Sequence, residues 1–358
     1  MPLKAAIKEG QMLNRRKFLS LTGTAIAAPA IMRVSAANAQ EVTLKLHHFL
    51  PAVSNPHSKF LKPWADKVGT DSGGRIKIDI FPSMQLGGTP PQLFDQARDG
   101  VADLVWTVTG YTPGRFPKIE AFELPFVVNK RATVNSRAIQ EYAQTNLQDE
   151  FKEVRPICFW AHDHGLIHAS KKVATLDDLK GLKLRFPTRL AGEALKALGA
   201  NAIGMPVPQV PEAIAQRVID GAVVPWEVVP ALKLQELVKF HTEIPGSPTL
   251  YTTPFILAMN KAKYDSLPAD LKKVIDANSG LETSKWAGKV FDQPEVEARK
   301  ISQQRNNTFI TITPAEYARW KKATDLVDDA WMKEAAAKGA NGKVLYDEAV
   351  TLLKKYGS

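Results

Sequence analysis

The sequence predicts an α/β protein of two similar lobes. Two alternating strand–helix runs point to it, and so does a later helical stretch too long for one small domain. At 358 residues, with 44% hydrophobic and 23% charged residues, the chain is long for a single core and ordinary for a globular protein. In the first run, Val42 to His47 alternates as a strand. A helix is expected over Ser58–Val68, ended by Asp71-Ser72-Gly73-Gly74. Ile76, Ile78 and Ile80 alternate with Lys77 and Asp79 as a second strand, and Pro82 to Pro91 is a loop. Pro91–Arg98 is helical and Ala102–Thr107 is a third strand, the order of a parallel sheet covered by helices. The second run has strands at Ile157–His162 and Leu182–Phe186, then a helix over Arg189–Leu198 stopped by Gly199. A short strand near Ala202, a helix over Gln209–Val218 and a strand at Gly221–Val224 complete it.

From Pro268 to about Gln303, apolar residues recur at helical spacing (Leu271, Val274, Ile275, Leu281, Trp286, Val290), with Pro294 expected to kink the helix. One helix of this length is expected to brace both lobes. Thr308–Thr313 returns as a strand, and two amphipathic helices close the chain.

The first 39 residues differ in kind. Arg15-Arg16-Lys17-Phe18-Leu19 opens a short apolar stretch, Leu21 to Met32, and Ala37-Asn38-Ala39 ends it in a small-x-small pattern. Twin arginines before Phe-Leu resemble a Tat export signal, with a general secretory signal as the alternative and Met12 as a second candidate start. The apolar run is shorter than the roughly 20 residues a membrane span needs. No longer run follows, so the exported chain is expected to be soluble and not membrane-embedded.

The formal charge of +10 is partly that of the signal. Lys4, Lys8, Arg15, Arg16, Lys17 and Arg33 face only Glu9, which leaves about +5 for the remainder. Its basic residues are scattered, so no nucleic-acid partner is expected. The lone Cys158 stands in an apolar strand and suits a buried thiol better than a nucleophile. The chain has no Gly-x-Ser-x-Gly elbow, no dinucleotide fingerprint and no Walker sequence, so nothing points to a serine hydrolase or a nucleotide site, and no cofactor is expected. His162-x-His164, with Asp163 and His168 nearby, is the one candidate metal constellation. On a strand it would place both rings on one face, as in a metal-binding protein or metallohydrolase.

Four segments carry a family resemblance: Phe81-Pro82-Ser83-Met84-Gln85-Leu86-Gly87-Gly88, Glu123-Leu124-Pro125-Phe126, Leu179-Lys180-Gly181-Leu182-Lys183-Leu184-Arg185-Phe186-Pro187, and Ala215-Gln216-Arg217-Val218-Ile219-Asp220-Gly221. In this order and after an export signal, the chain resembles the DctP-type substrate-binding subunits of TRAP (tripartite ATP-independent periplasmic) transporters. Only Arg217 departs, standing where that family usually has Gly. The resemblance implies a two-lobed periplasmic binding protein fold with a central cleft. Residues 1–39 would be the signal, 40–162 with about 251–290 lobe I, and 163–250 with about 291–358 lobe II. It implies a periplasmic receptor, not an enzyme, whose partners are a small carboxylate and the small and large membrane subunits.

Arg185 ends its predicted strand, where α/β sheets present ligands, and a guanidinium fits a carboxylate with two parallel donors. The resemblance gives it the carboxylate-binding role. Alignment around the motifs adds Phe49, Thr107, Val108, Tyr111, His164, Val207 and Val224 as ligand contacts. His164 stands near where some members place a second ligand-binding arginine, and that second arginine is absent here. The Glu-Trp pair that holds a metal in the keto-acid branch is replaced by Val223-Val224, so no metal is expected by that route. Trp226 is expected as a flat wall and Glu227 as an acceptor for a hydroxyl. The ligand expected is a monocarboxylate with an aromatic or branched body: a benzoate-like acid first, then a branched hydroxy or keto acid, and last a small sugar acid.

Overall fold

The computed structural model describes residues Val42–Ser358, so the expected signal at 1–39 lies outside the described residues. Two mixed sheets with helices around them form one compact unit.

The first sheet opens with β1 (Val42–His47), whose alternation buries Leu44 and Leu46. A π-helical turn at Pro56–Leu61 runs into α1 (Lys62–Asp71), stopped at Gly73-Gly74, both at positive φ. Strand β2 (Ile76–Phe81) pairs parallel with β1. Helix α2 (Leu93–Arg98) leads to β3 (Leu104–Val108), also parallel to β1. Helix α3 (Ala132–Asn146), which the sequence reading leaves out, then precedes β4 (Val154–Ala161). Its face toward the fold carries polar and small residues, Asn135, Ser136 and Gln140 among them, which weakens an apolar stripe.

The chain crosses at residues 162–165 to β5 (Leu166–Ala169) in a second sheet. There β6 (Lys183–Phe186), α4 (Arg189–Ala197), β7 (Asn201–Gly204), α5 (Val210–Ala215) and β8 (Gly221–Val224) follow the predicted alternation. Short helices α6 (Val228–Ala231) and α7 (Leu234–Leu237) and strand β9 (Phe240–Glu243) complete this passage. The chain returns as β10 (Pro254–Asn260), antiparallel to both β3 and β4. The strand orders are β2-β1-β3-β10-β4 and β11-β9-β5-β8-β6-β7, with β11 (Thr308–Thr311) on the edge beside β9. Both sheets are therefore mixed rather than parallel. Strands that arrive from the other sheet, β5 and β10, enter from the opposite end and run backwards.

The expected single helix over Pro268–Gln303 is three helices, preceded by the short α8 (Lys261–Asp265): α9 (Ala269–Ala277), α10 (Leu281–Asp292) and α11 (Glu295–Gln304). The first break is fixed by the first sheet. Gly280 takes φ 80°, its N–H donates to the Ile157 carbonyl at 2.8 Å, and the Trp64 indole donates to the Asn278 carbonyl at 2.8 Å. At the second break, Asp292 turns back to accept from the Ala132 and Thr133 amides at 2.6 and 3.0 Å, satisfying the start of α3. Helix α10 packs on α3 and β4, whereas α11 packs on α6 and α7, so the chain changes sheet at Gln293-Pro294.

The helix that reaches from one core to the other is α12 (Pro314–Ala337), 24 residues and so about 36 Å at ~1.5 Å per residue. Thr313 caps it by accepting from the Glu316 amide. Its Trp320 is buried in the second lobe's core with Leu184, Leu195 and Val223. Its Trp331 donates to the Pro117 carbonyl, at 3.1 Å, beside the first sheet. Helix α13 (Gly342–Gly357) closes the chain against α3.

Candidate functional site

The carboxyl ends of β3, β4, β6 and β8 and the start of β10 converge between the sheets, where α/β proteins present ligands. They line a narrow cavity of about 40 Å³ between the sheets.

Arg185 comes to the cavity from β6, where strand alternation turns Leu184 and Phe186 to the other face. It is 2% exposed, and two backbone carbonyls fix it: Nε donates to Met205 O at 2.8 Å and Nη1 to Val223 O at 3.1 Å. Nη2 has no partner, and no carboxylate pairs with this guanidinium among the described residues. Burial pulls its pKa down, with the hydroxyls of Tyr111 and Tyr251 acting the other way. A buried cation without a counter-charge costs several kcal/mol. An anion completing the site would remove that cost.

Tyr111 and Tyr251 stand beside the guanidinium. Burial raises both phenol pKa values, so each is an O–H donor at neutral pH. The Tyr111 oxygen accepts from the Val207 amide at 3.0 Å, and the Tyr251 hydroxyl has no partner. Gly165 makes room for Tyr251, since a Cβ there would stand 1.9 Å from the tyrosine ring. The rest of the wall is largely aromatic. Phe49 packs on Trp106 (centroids 4.8 Å apart) and edge-on to Tyr111 (5.7 Å), while Trp106 meets Phe255 edge-on at 5.7 Å. Val108, Val207 and Val224 add aliphatic surface. Glu227, 5% exposed, also lines the cavity with Oε1 unpartnered, and burial raises its pKa to about 8. It is therefore mostly a neutral carboxylic acid at pH 7, able both to donate and to accept.

The cavity thus brings together Arg185, Phe49, Val108, Tyr111, Val207, Val224 and Glu227 of the residues named from sequence. Three others lie outside its lining. Thr107 falls on the face of β3 opposite Trp106 and Val108. Trp226, expected as a flat wall, does not line the cavity. Strand β8 ends at Val224 and the chain turns at Pro225, which packs the indole against His168 and Phe309 in the second sheet while its N–H donates to Glu243. His164 is buried at the crossover, its amide bonded to the Lys130 carbonyl at 3.1 Å.

His162 and His164 do not form the suspected pair. Strand β4 stops at Ala161, so no strand alternation aligns the rings. His162 faces the cavity and shares its Nδ1 with the Asp163 carbonyl at 2.6 Å, while His168 meets His241 at 2.6 Å. Sequence reasoning did not single out Trp106, Tyr251, Thr253 or Phe255. The last three come from the segment that returns from the far sheet, Tyr251 and Thr253 just before β10 and Phe255 within it, so no local motif announces them.

Among the described residues no helix is long and apolar enough to cross a membrane. A profile of the DctP family, the bacterial extracellular solute-binding proteins of family 7, matches residues 46–334. A TRAP solute-binding protein from a marine metagenome, specific for aromatic acid ligands and crystallised with 3-hydroxybenzoate, is 48% identical. The match covers 89% of this chain and 100% of that one, with a TM-score of 0.87. A TRAP solute-binding protein from Rhodoferax ferrireducens T118, in complex with copurified benzoate, is 46% identical. Here 88% of this chain and 98% of that one are covered, with a TM-score of 0.86. A third, from Bordetella bronchiseptica with bound (R)- and (S)-mandelate, is 28% identical over 88% of this chain and 99% of that one, at a TM-score of 0.81. The chain therefore belongs to the DctP family, the substrate-binding proteins of TRAP transporters.

Proposed function

We propose that this chain is the periplasmic receptor for an aromatic monocarboxylate, which it delivers to the small and large membrane subunits of a TRAP transporter. The observation that carries the reading is one buried arginine, with no carboxylate partner and an unpartnered Nη2, in a largely aromatic and aliphatic cavity. The ligand carboxylate pairs with Arg185 and accepts a hydrogen bond from the Tyr251 hydroxyl. The ring packs among Phe49, Trp106 and Phe255, where offset and edge-on contacts each add about 0.5–1.5 kcal/mol beyond burial. Glu227 meets a hydroxyl on the ring or side chain. The benzoate, 3-hydroxybenzoate and mandelate of the similar proteins support this ligand class. A single guanidinium suits one carboxylate rather than two.

Residues 40–162 with about 251–290 act as one lobe and residues 163–250 with about 291–313 as the other; the tail expected in the second lobe is shared instead, since α12 reaches both cores and α13 packs on α3 of the first. Binding energy realised only when both touch the ligand shifts the population toward the closed form. Export by the signal at residues 1–39 places the receptor in the periplasm.

A thermal-shift screen against aromatic, branched hydroxy, keto, dicarboxylic and sugar acids tests the reading. Aromatic monocarboxylates are expected to raise the midpoint by several degrees at large excess over Kd. Shifts confined to dicarboxylates or sugar acids would contradict the aromatic-acid assignment.

A further inference from the structure

Away from the ligand cavity, three side chains with metal-binding chemistry meet where the chain passes between the sheets. Asp163 and His164 lie in the 162–165 crossover, and Glu295 is the first residue of α11, directly after the Gln293-Pro294 crossing. One ligand atom from each lies within 4.8 Å of the other two. Asp163 and His164 are 3% and 2% exposed, and Asp163 Oδ1 and His164 Nδ1 have no hydrogen-bond partner among the described residues.

Burial, and then the neighbouring acidic groups Asp292, Glu295 and Glu227, hold the Asp163 carboxyl well above the usual carboxylate range, so a cation bound there displaces its proton. Two protein cations stand close, Lys130 at 3.9 Å and Arg299 at 3.8 Å from the Glu295 carboxylate. Both contacts are at the limit of ion pairing, and Arg299 already pairs with Glu243. Neither one hydrogen-bonds Asp163 Oδ1 or His164 Nδ1.

We propose that Asp163, His164 and Glu295 form a divalent-cation site of the zinc class at the hinge. One imidazole nitrogen with two carboxylate oxygens is a zinc donor set, whereas a calcium site would be built of oxygens alone. Its ligands come from two separate segments that pass between the sheets, so a bound ion would cross-link them and stiffen the hinge. This site is distinct from the His162/His164 pair considered from the sequence, because His162 faces the ligand cavity instead.

The test uses untagged protein stripped with EDTA and desalted, titrated calorimetrically with ZnCl2 and, separately, CaCl2. One zinc equivalent per chain and a higher thermal midpoint are expected. His164→Gln and Glu295→Gln should each weaken zinc binding by more than about tenfold, the least that even outer-shell partners of a metal ligand cost. The two variants lie on different segments, and Glu295 is partly exposed, which guards against loss of fold as the cause. No zinc uptake by the wild type, or uptake unchanged in both variants, would overturn the site. Calcium bound in place of zinc, with His164→Gln unaffected, would overturn its donor set.

Discussion

Two backbone carbonyls, of Met205 and Val223, hold the Arg185 guanidinium in place, so in the proposed complex a ligand carboxylate meets a donor that is already oriented. Tyr251 supplies the next donor, and its neutral phenol can donate to a carboxylate across the whole physiological range. Tyr251→Phe keeps the ring against Gly165 and removes only the O–H. Benzoate affinity in that variant should fall by roughly 1.5–3 kcal/mol, the value of a hydrogen bond to a charged group. Calorimetry showing unchanged affinity would take Tyr251 out of the carboxylate site. Arg185 was legible in the sequence because it sits inside a contiguous motif at a strand end. Tyr251 was not, because it precedes a strand that returns from the other sheet, and its neighbour in space, Gly165, is 86 positions earlier. Trp226 misled for a related reason: one turn at Pro225 decides whether residue 226 or 227 faces the cavity, and polarity alone does not reveal the turn.

Between elements, α4 is tied across to the first sheet. Arg189 at its start donates to both Glu120 oxygens, at 2.7 and 2.5 Å, and pairs with Glu334 of α12 at 2.8 Å. Beside this pair Glu123 is buried without a partner, near Thr188 and Gly110. Burial, and then the Glu120 charge, raise the Glu123 carboxyl from 4.5 to about 8. The folded state thus holds this proton more tightly than the unfolded chain. Its stabilising contribution is complete below pH 4.5 and lost as pH rises toward 8. The buried histidines act on the other side. His48 and His162, lowered to about 3 by burial, cost stability only as pH falls below 6.5. Between pH 6.5 and 8 the carboxyl effect is therefore separable. The thermal midpoint should fall across that window, and Glu123→Gln should make the fall shallower. Equal slopes for the two proteins would show that Glu123 titrates normally. The broken Pro268–Gln303 run belongs to this scale as well. Apolar spacing is continuous through it, but Gly280 bonds to β4 and Asp292 to the start of α3, and those partners, distant in sequence, interrupt it.

Across the whole molecule, the alternation of strands and helices was visible in the sequence because each βα unit is local. The order of strands was not, since β10 joins the first sheet only after the chain has built most of the second. The bracing helix was misplaced for the same reason. What identifies α12 is that Trp320 and Trp331 reach two different cores, a property of the fold and not of periodicity. Both lobes contribute to the cavity: Phe49, Trp106 and Phe255 from the first sheet's side, Arg185 and Glu227 from the second's. Capture of an aromatic acid by Arg185 is the claim on which the molecule-wide account of closure depends. Calorimetric titration of benzoate into the wild type and Arg185→Ala tests it most directly. The account predicts tight one-to-one binding by the wild type and a loss of roughly 2–5 kcal/mol in the variant, the range for removing one member of a buried charge pair. Near-native benzoate affinity in Arg185→Ala would contradict it.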